Sequence, residues 1–411
     1  MKTKLQYILK SMPHDVLTFL GCLFIIIGLF ISRAMMSIGM MVLIGNAIFN
    51  LKLTEHFRTF IHKPYLILLT GYFFIHLLSY FWSDNTQYFV ERMQIMTPFL
   101  ILPFAFHSMN QLDRKWIDIE LAIFVLFVVL GMSWSLFQYA QQKEIFDAGY
   151  GLSKVLPTPF KNDHIRFSLA VTLSISFSMY FISRYSNKII LIFSAFAIIY
   201  AIIYLHILAA KSGLLAFYMI SFLFLIKLVL KKKYRVHASI LLFSLIAIPV
   251  IMYYTSSSFK NKLYYIQYSI YQMMNDEKES NISDEGRLIS YNYAFQSIKK
   301  NLWIGVGLGD VKDEMQKYYD KDFGESKVIA LLPHNQFLMN GMAIGLLGIL
   351  YLASLQIAIL RQCFKRDFLS FLFWCIFFLA LLIEPLYETQ YGTCMFLFFL
   401  LLLLQRRIKT E

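Results

Sequence analysis

Residues 189–235 read IILIFSAFAIIYAIIYLHILAAKSGLLAFYMISFLFLIKLVLKKKYR. Two apolar runs, each near the length of about 20 residues that crosses a bilayer as a helix, are separated only by AAKSG. The second ends on a basic cluster. Working outward, similar runs recur along nearly the whole chain, at about 16–32, 35–51, 64–82, 93–108, 117–140, 166–183, 237–256, 333–360, 368–385 and 391–404. With 58% hydrophobic and only 15% charged residues, and a mean hydropathy of +0.58, the composition excludes an ordinary soluble globular chain, in which about a quarter of residues are charged. The opening MKTKLQYILK is basic, but the first apolar run leads straight into a second, as in a membrane hairpin and not a cleavable signal.

The net charge of +13 would suggest nucleic acid only if its distribution were ignored. MKTKLQYILK, LKLTEHFRTFIHK, NQLDRKW, SRYSNK, KLVLKKKYR, RQCFKRD and QRRIKTE are short and basic and fall on one side of the alternating runs. The segments on the other side are mixed or acidic, and two are long. Positive loops face the cytoplasm, so the charge is an orientation signal, both termini are expected in the cytoplasm, and no nucleic-acid partner is expected. The four cysteines, Cys22, Cys363, Cys375 and Cys394, form no paired motif, so neither a disulfide nor a cysteine-bound metal is expected. The expected fold is an all-α polytopic integral membrane protein of about twelve transmembrane helices. Helices one to nine occupy 1–256, a large, partly helical outer loop occupies 257–332, and helices ten to twelve with a cytoplasmic tail occupy 333–411.

The outer loop is too long for a simple connector. FKNKLYYIQYSIYQMM has the pattern of an interfacial helix. GRLISYNYAFQSIKKN reads as a helix with Leu288, Tyr291, Phe295 and Ile298 on one face, capped by Ser283 or Asp284. Arg287 then falls in the first turn, where a cation is unfavourable unless an anion neutralises it. NLWIGVGLGD carries three alternating glycines without the strand–helix unit of a dinucleotide site, and reads as a tight re-entrant turn. The chain returns to the membrane at LLPHNQF, with Pro333 suited to a helix start and His334 at the membrane edge.

Cations on the outer face run against the orientation rule. Arg92, His164, Arg166, Lys211, Arg287 and His334 all lie at outer helix starts. Each alone could snorkel to headgroups; together they suit a polyanion such as a pyrophosphate on a lipid. No cluster has metal-ligand spacing. Glu384 and Glu388, in LLIEPLYETQYG, are the acidic exceptions at a helix end, placed to close the site or to pair with a basic residue.

R-x7-F-x-x-I-x4-W-x-G-x-G-x-G, from Arg287 to Gly309, followed by PHNQFL and a glycine-rich helix to Gly348, resembles the O-antigen ligase and O-antigen polymerase superfamily. AAKSG at 209–213 is similar to an outer segment of that family, with Lys211 where arginine is usual, and the helix layout is similar too. The resemblance implies an inner-membrane glycosyltransferase of lipopolysaccharide biosynthesis, without cofactor or metal and inverting, with its active site at the periplasmic face. The donor would be a glycan on undecaprenyl pyrophosphate, and the acceptor lipid A–core or another glycan hydroxyl. His334 would activate the acceptor with Arg287 as its catalytic partner. Lys211, Arg166, His164 and Arg92 would hold the pyrophosphate, supported by Asn335 and Glu388. Histidine, with an ordinary pKa of about 6.5, suits a base near neutral pH; lysine, a point charge, cannot grip phosphate as a fork. Ligase is the favoured member of the family, with polymerase and protein O-oligosaccharyltransferase as alternatives. Outside it stand a metal-dependent oligosaccharyltransferase, for which the first outer loop, Ser32-Arg33-Ala34, lacks a carboxylate, and a lipid-linked-oligosaccharide flippase, which would show broken helices or mid-membrane charge.

Overall fold

The computed structural model describes residues 13–109, 113–150, 155–274, 283–324 and 328–406, and all regular structure among them is helical. Among the described residues eight helices are long and apolar enough to cross a membrane, nine if the bent pair Arg33–Ile48 and Leu53–Phe60, which turns through 106°, is counted as one span. Each of the twelve apolar runs falls on a helix. His14–Phe30, Phe368–Ile383 and Gln390–Gln405 are apolar but shorter, so length and composition support eight or nine crossings and not the full twelve.

The chain divides into two compact units. The first comprises Met1–Ile123, Arg287–Trp374 and Leu381–Glu411. It holds α1 (His14–Phe30), α2 (Arg33–Ile48), α3 (Leu53–Phe60), α4 (Pro64–Leu78), α5 (Thr86–Ser108) and the start of α6 (Arg114–Gln141). The second comprises Phe124–Gly286 and Cys375–Ala380. It holds the rest of α6, then α7 (Lys143–Tyr150), α8 (His164–Arg184), α9 (Lys188–Leu208), α10 (Lys211–Val229), α11 (Arg235–Thr255) and α12 (Ser257–Met274). The first unit resumes within α13 (Ser283–Lys300) and continues through α14 (Val311–Phe323), α15 (Gln336–Arg366), most of α16 (Phe368–Ile383) and α17 (Gln390–Gln405).

In the first unit α15 packs on α4, and α17 on α5. Tyr72, Phe99, Tyr387 and Phe396 join these elements, with successive ring centroids 4.6, 5.0 and 5.2 Å apart. The run read as one span at 333–360 is interrupted: Gly345 adopts φ 68 and ψ −154 inside α15. The break strands backbone groups that a continuous helix would pair, and the glycine-rich turn before α14 supplies partners. Val306 and Gly307 donate their N–H groups to the carbonyls of Met342 and Ala343 at 2.8 and 3.1 Å, and Leu346 N–H donates to the Leu302 carbonyl at 2.7 Å. This approach needs glycine on both sides. Gly305 has φ +69, and a Cβ there would lie 2.3 Å from the Met342 carbonyl oxygen; one on Gly345 would lie 2.5 Å from the Trp303 carbonyl carbon. The turn is then fastened to the end of α4. Ser79 and Ser83 accept from the N–H groups of Leu308 and Gly309, and the Asp310 carboxylate accepts from the N–H groups of Asp84 and Asn85, both at 2.8 Å. The alternating glycines thus serve close backbone pairing, while Trp303 is 69% exposed.

The apolar face read on α13 is divided in the structure: Ile298 is buried and Tyr291 half-buried, while Leu288 and Phe295 are exposed. Ser290, Tyr293, Ala294 and Ser297 are buried as well. The side chains of Ser283 and Asp284, expected as caps, lie outside the described set.

Gly345→Ala is expected to lower the stability of the detergent-purified protein by more than the roughly 1–3 kcal/mol of an L-residue held in this glycine-only backbone region, because it also clashes. Gly45→Ala is the control. Gly45 lies in α2 with nothing within 4 Å of an added Cβ, so alanine there should be neutral or stabilise by up to about 1 kcal/mol. Thermal melts of the two variants against the parent protein check both.

Candidate active site

The start of α15 is built by two consecutive polar residues. Asn335 caps the helix: its side-chain oxygen accepts from the N–H groups of Phe337 and Leu338 at 2.8 and 3.1 Å, and its amide donates to the Leu382 carbonyl at 2.9 Å. Gln336, fully buried, accepts from the Tyr387 N–H at 2.8 Å. These bonds fasten the α15 start to the turn that follows α16. Glu384 sits in that turn, only 2% exposed.

The turn brings together two residues the sequence singled out. Arg287 donates from Nη2 to Glu384 Oε1 at 2.8 Å, and His334 Nδ1 donates to Glu384 Oε2 at 3.0 Å. Because an ionised carboxylate only accepts, the contact sets the tautomer: the proton is on Nδ1 and the Nε2 lone pair is free to accept. Nε2 has no hydrogen-bond partner among the described residues, and the imidazole is 23% exposed. Tyr291, one turn along α13 from Arg287, donates its hydroxyl to the His334 carbonyl at 2.7 Å, locking α13 to the α15 start. The guanidinium is 26% exposed and gives one N–H to Glu384, which leaves the rest of its fork for an anion. Removing one member of a buried ion pair costs about 3–5 kcal/mol; the partial exposure of Arg287 places this pair toward the lower end.

A second ion pair lies in the same unit. Arg92 Nη1 is 3.6 Å from Glu388 Oε2 and donates to the Glu388 carbonyl at 3.1 Å, with its guanidinium 4.8 Å from the Tyr88 ring centroid. Gln336 Nε2 lies 3.5 Å from Glu388 Oε1 and 3.1 Å from Asn340 Oδ1, which also accepts from the Tyr72 hydroxyl at 2.9 Å. Arg92 is thus engaged by Glu388, which ties α5 to the turn carrying Glu384. Asn335 acts on the helix backbone and not on the imidazole of His334. The residue that holds the imidazole is Glu384. Its signal in the sequence was a carboxylate ending a wholly apolar run just before Pro385. Nothing in the spacing said which of Glu384 and Glu388 met which cation.

The other cations lie in the second unit. His164 opens α8 and Lys211 opens α10, both half-buried. Arg166 is buried, with Nη1 3.5 Å from Asp163 Oδ1, and that same oxygen caps α8 by accepting from Arg166 N–H at 3.1 Å. Two residues beyond Arg166, Ser168 Oγ lies 3.4 Å from the Oγ of Ser212, the residue after Lys211. The two cationic helix starts therefore share one end of a packed pair. Ahead of Asp163, Phe160, Lys161 and Asn162 all have positive φ, between 57° and 65°. A left-handed run of L-residues costs roughly 1–2 kcal/mol per residue, and here it sets the entry into α8. Among the described residues no three His, Cys, Asp or Glu side chains are grouped to hold a metal ion.

Asn335→Ala should cost about 1 kcal/mol for the cap and up to about 1 kcal/mol more for the bond to Leu382. Asn335→Ser should recover the cap portion only. Denaturant or thermal melts of the two variants distinguish this from a part in the chemistry, which would leave stability unchanged.

No curated protein matches the chain. The family model described as Wzy_C, O-antigen ligase, matches residues 196–353, less than half of the chain but including Lys211, Arg287, the glycine turn and His334. Residues 196–353 are therefore similar to the O-antigen ligase family, within a chain that carries several helices apolar enough to cross a membrane.

Proposed function

We propose that the protein is a glycan ligase that moves a sugar chain from undecaprenyl pyrophosphate to an acceptor hydroxyl, with lipid A–core as the acceptor, at the periplasmic face of the inner membrane. The observation that carries this reading is the junction of Arg287 and His334 on one buried carboxylate. A cation with free donors and an imidazole with a free Nε2 stand side by side at a helix start. Transfer from a glycosyl pyrophosphate needs those two groups. The acceptor O–H gives its proton to His334 Nε2 as its oxygen bonds to the anomeric carbon. The bond from that carbon to the phosphate oxygen breaks, and its electron pair leaves with the lipid pyrophosphate. Arg287 stabilises the charge that develops on the leaving group, and attack opposite to it inverts the anomeric centre. Within the first unit Arg92 is proposed to help hold the pyrophosphate after exchange of its contact with Glu388; Lys211, Arg166 and His164, all in the second unit, are proposed as phosphate-binding cations of that unit taken by itself.

One observation favours transport instead: α15 is a broken helix, a device of transporters. In transporters the exposed backbone of such a break lines a cavity, whereas here the groups at Met342, Ala343 and Leu346 are taken by residues 302–307. Occupation of the break by the chain's own residues favours the ligase reading over transport.

The test is reconstitution of the purified protein with undecaprenyl-pyrophosphate-linked glycan and lipid A–core in the presence of EDTA. New glycosylated lipid A–core on a gel is the expected result. Extension of the donor glycan alone would make the protein a polymerase, dependence on added metal would overturn the metal-free reading, and movement of donor across the bilayer without a new glycosidic bond would make it a flippase. His334→Ala should reduce transfer by about 10²–10⁴-fold, the range of general-base contributions, with membrane insertion intact. Arg287→Ala should do likewise, and Arg287→Lys should restore little, because an ammonium lacks the planar fork.

A further inference from the structure

Glu384 is shared. One carboxylate oxygen accepts from Arg287 and the other from His334, at 2.8 and 3.0 Å, and the group is buried in the turn after α16. The two partners have different uses in the reaction proposed above. Arg287 is needed by the leaving pyrophosphate, and His334 by the acceptor. A carboxylate neutralised by an adjacent guanidinium polarises an imidazole less than one that is not, because the guanidinium charge opposes its field at Nδ1. A phosphate bound on the remaining N–H donors of Arg287 competes with Glu384 for the guanidinium charge and draws it toward itself.

Resting on that reading of the site, we propose that Glu384 is a positioning residue that couples donor to base. With the donor absent, its charge is divided between Arg287 and His334. When a pyrophosphate engages Arg287, the guanidinium is drawn off Glu384, the carboxylate's field at His334 is less opposed, and Nε2 becomes the stronger proton acceptor at the moment the donor is in place. Acceptor activation thereby follows donor binding. In the chemical step the acceptor proton moves to Nε2 while the Nδ1 proton stays in its bond to Glu384, whose negative charge balances the imidazolium. The lipid pyrophosphate leaves on Arg287, and its departure returns Arg287 to Glu384. The surroundings suit such a shared group. Tyr291 fixes the His334 backbone, and Gln336 and Asn335 fasten the 382–387 turn. Exchange of partners at Arg287 can therefore occur without movement of the imidazole. The neighbouring carboxylate, Glu388, already has Arg92 as its counter-ion.

The coupling predicts opposite effects on binding and on rate, which a merely structural role would not produce. In Glu384→Gln the amide still fills the turn, but the charge that competes for Arg287 is gone. Inorganic pyrophosphate, titrated calorimetrically into the full-length protein in detergent, should bind about five-fold more tightly than to the parent protein, as expected for release of a partly exposed ion pair. Single-turnover transfer from loaded undecaprenyl-pyrophosphate glycan should fall about 100-fold. Weaker pyrophosphate binding by this variant, or an unchanged transfer rate, would overturn the coupling. If Glu384→Gln does not accumulate in the membrane, Glu384→Asp serves in its place. The charge is kept but the reach is one methylene shorter, so pyrophosphate affinity should stay near the parent value while transfer falls, and full transfer by this variant would sink the idea. The two proposals fail separately. No transfer by the parent protein overturns the ligase reading, and the pyrophosphate comparison between parent and Glu384→Gln still decides whether Arg287 is contested by Glu384.

Discussion

A carboxylate buried at the end of an apolar helix is the constraint around which the site is organised. Glu384 follows a run of sixteen residues, Phe368–Ile383, without a charge. Left alone there, its ionised form would be heavily penalised by desolvation. Its counter-ion comes from Arg287, 97 residues earlier in the chain, and a second donor from His334, 50 residues earlier. Such distant partners meet only if the backbone around each is held. Tyr291 holds α13 to the α15 start, and Asn335 and Gln336 hold that start to the turn carrying Glu384. The same economy repeats at Glu388, which is neutralised by Arg92 from α5. Two acidic residues four apart in sequence thus tie three separate parts of the first unit together.

The second constraint is the backbone at Gly345. A helix interrupted within an apolar environment must find substitutes for the lost bonds, since lipid offers none. The 302–307 turn provides them, and it is itself held by Ser79, Ser83 and Asp310. The short first part of α15, which carries Asn335 as its cap, is therefore fixed at both ends: by the α16–α17 turn at its start and by the glycine turn at its break. Fixed ends are what an imidazole base requires, because its reach is set to within fractions of an ångström by the backbone that bears it.

Helix existence was legible in the apolar runs, and all twelve fall on helices because hydrophobicity over about 20 residues is a strong and local signal. The number of crossings was less legible, since the first and the last two of these helices are short and apolar runs also make buried core. The site residues Arg287 and His334 stood out because each sits at a helix start where a cation or a titratable ring is otherwise out of place. Their meeting on Glu384 was not legible. Pairing between residues 97 and 50 positions apart depends on how α13, α15 and the 382–388 turn converge, and one sequence carries no local trace of that. Periodicity gave the helix α13 but not which side of it is covered: Leu288 and Phe295 are exposed, whereas Ile298, Tyr293, Ala294 and two serines are buried. The alternating glycines were recognised as a turn, but their service to a distant broken helix could not be read from composition.

The pairing of the 302–307 turn with the break at Gly345 also bears on biogenesis. Residues 302–307 leave the ribosome before residues 342–346, so the segment that supplies the donors and acceptors is synthesised before the break that needs them. The later segment need not enter the bilayer with bare carbonyls in search of partners; it can be completed against a template made earlier on the same chain. Chain order and hydrogen-bond order coincide here, and an interruption that would be a liability in an isolated membrane helix becomes compatible with vectorial insertion.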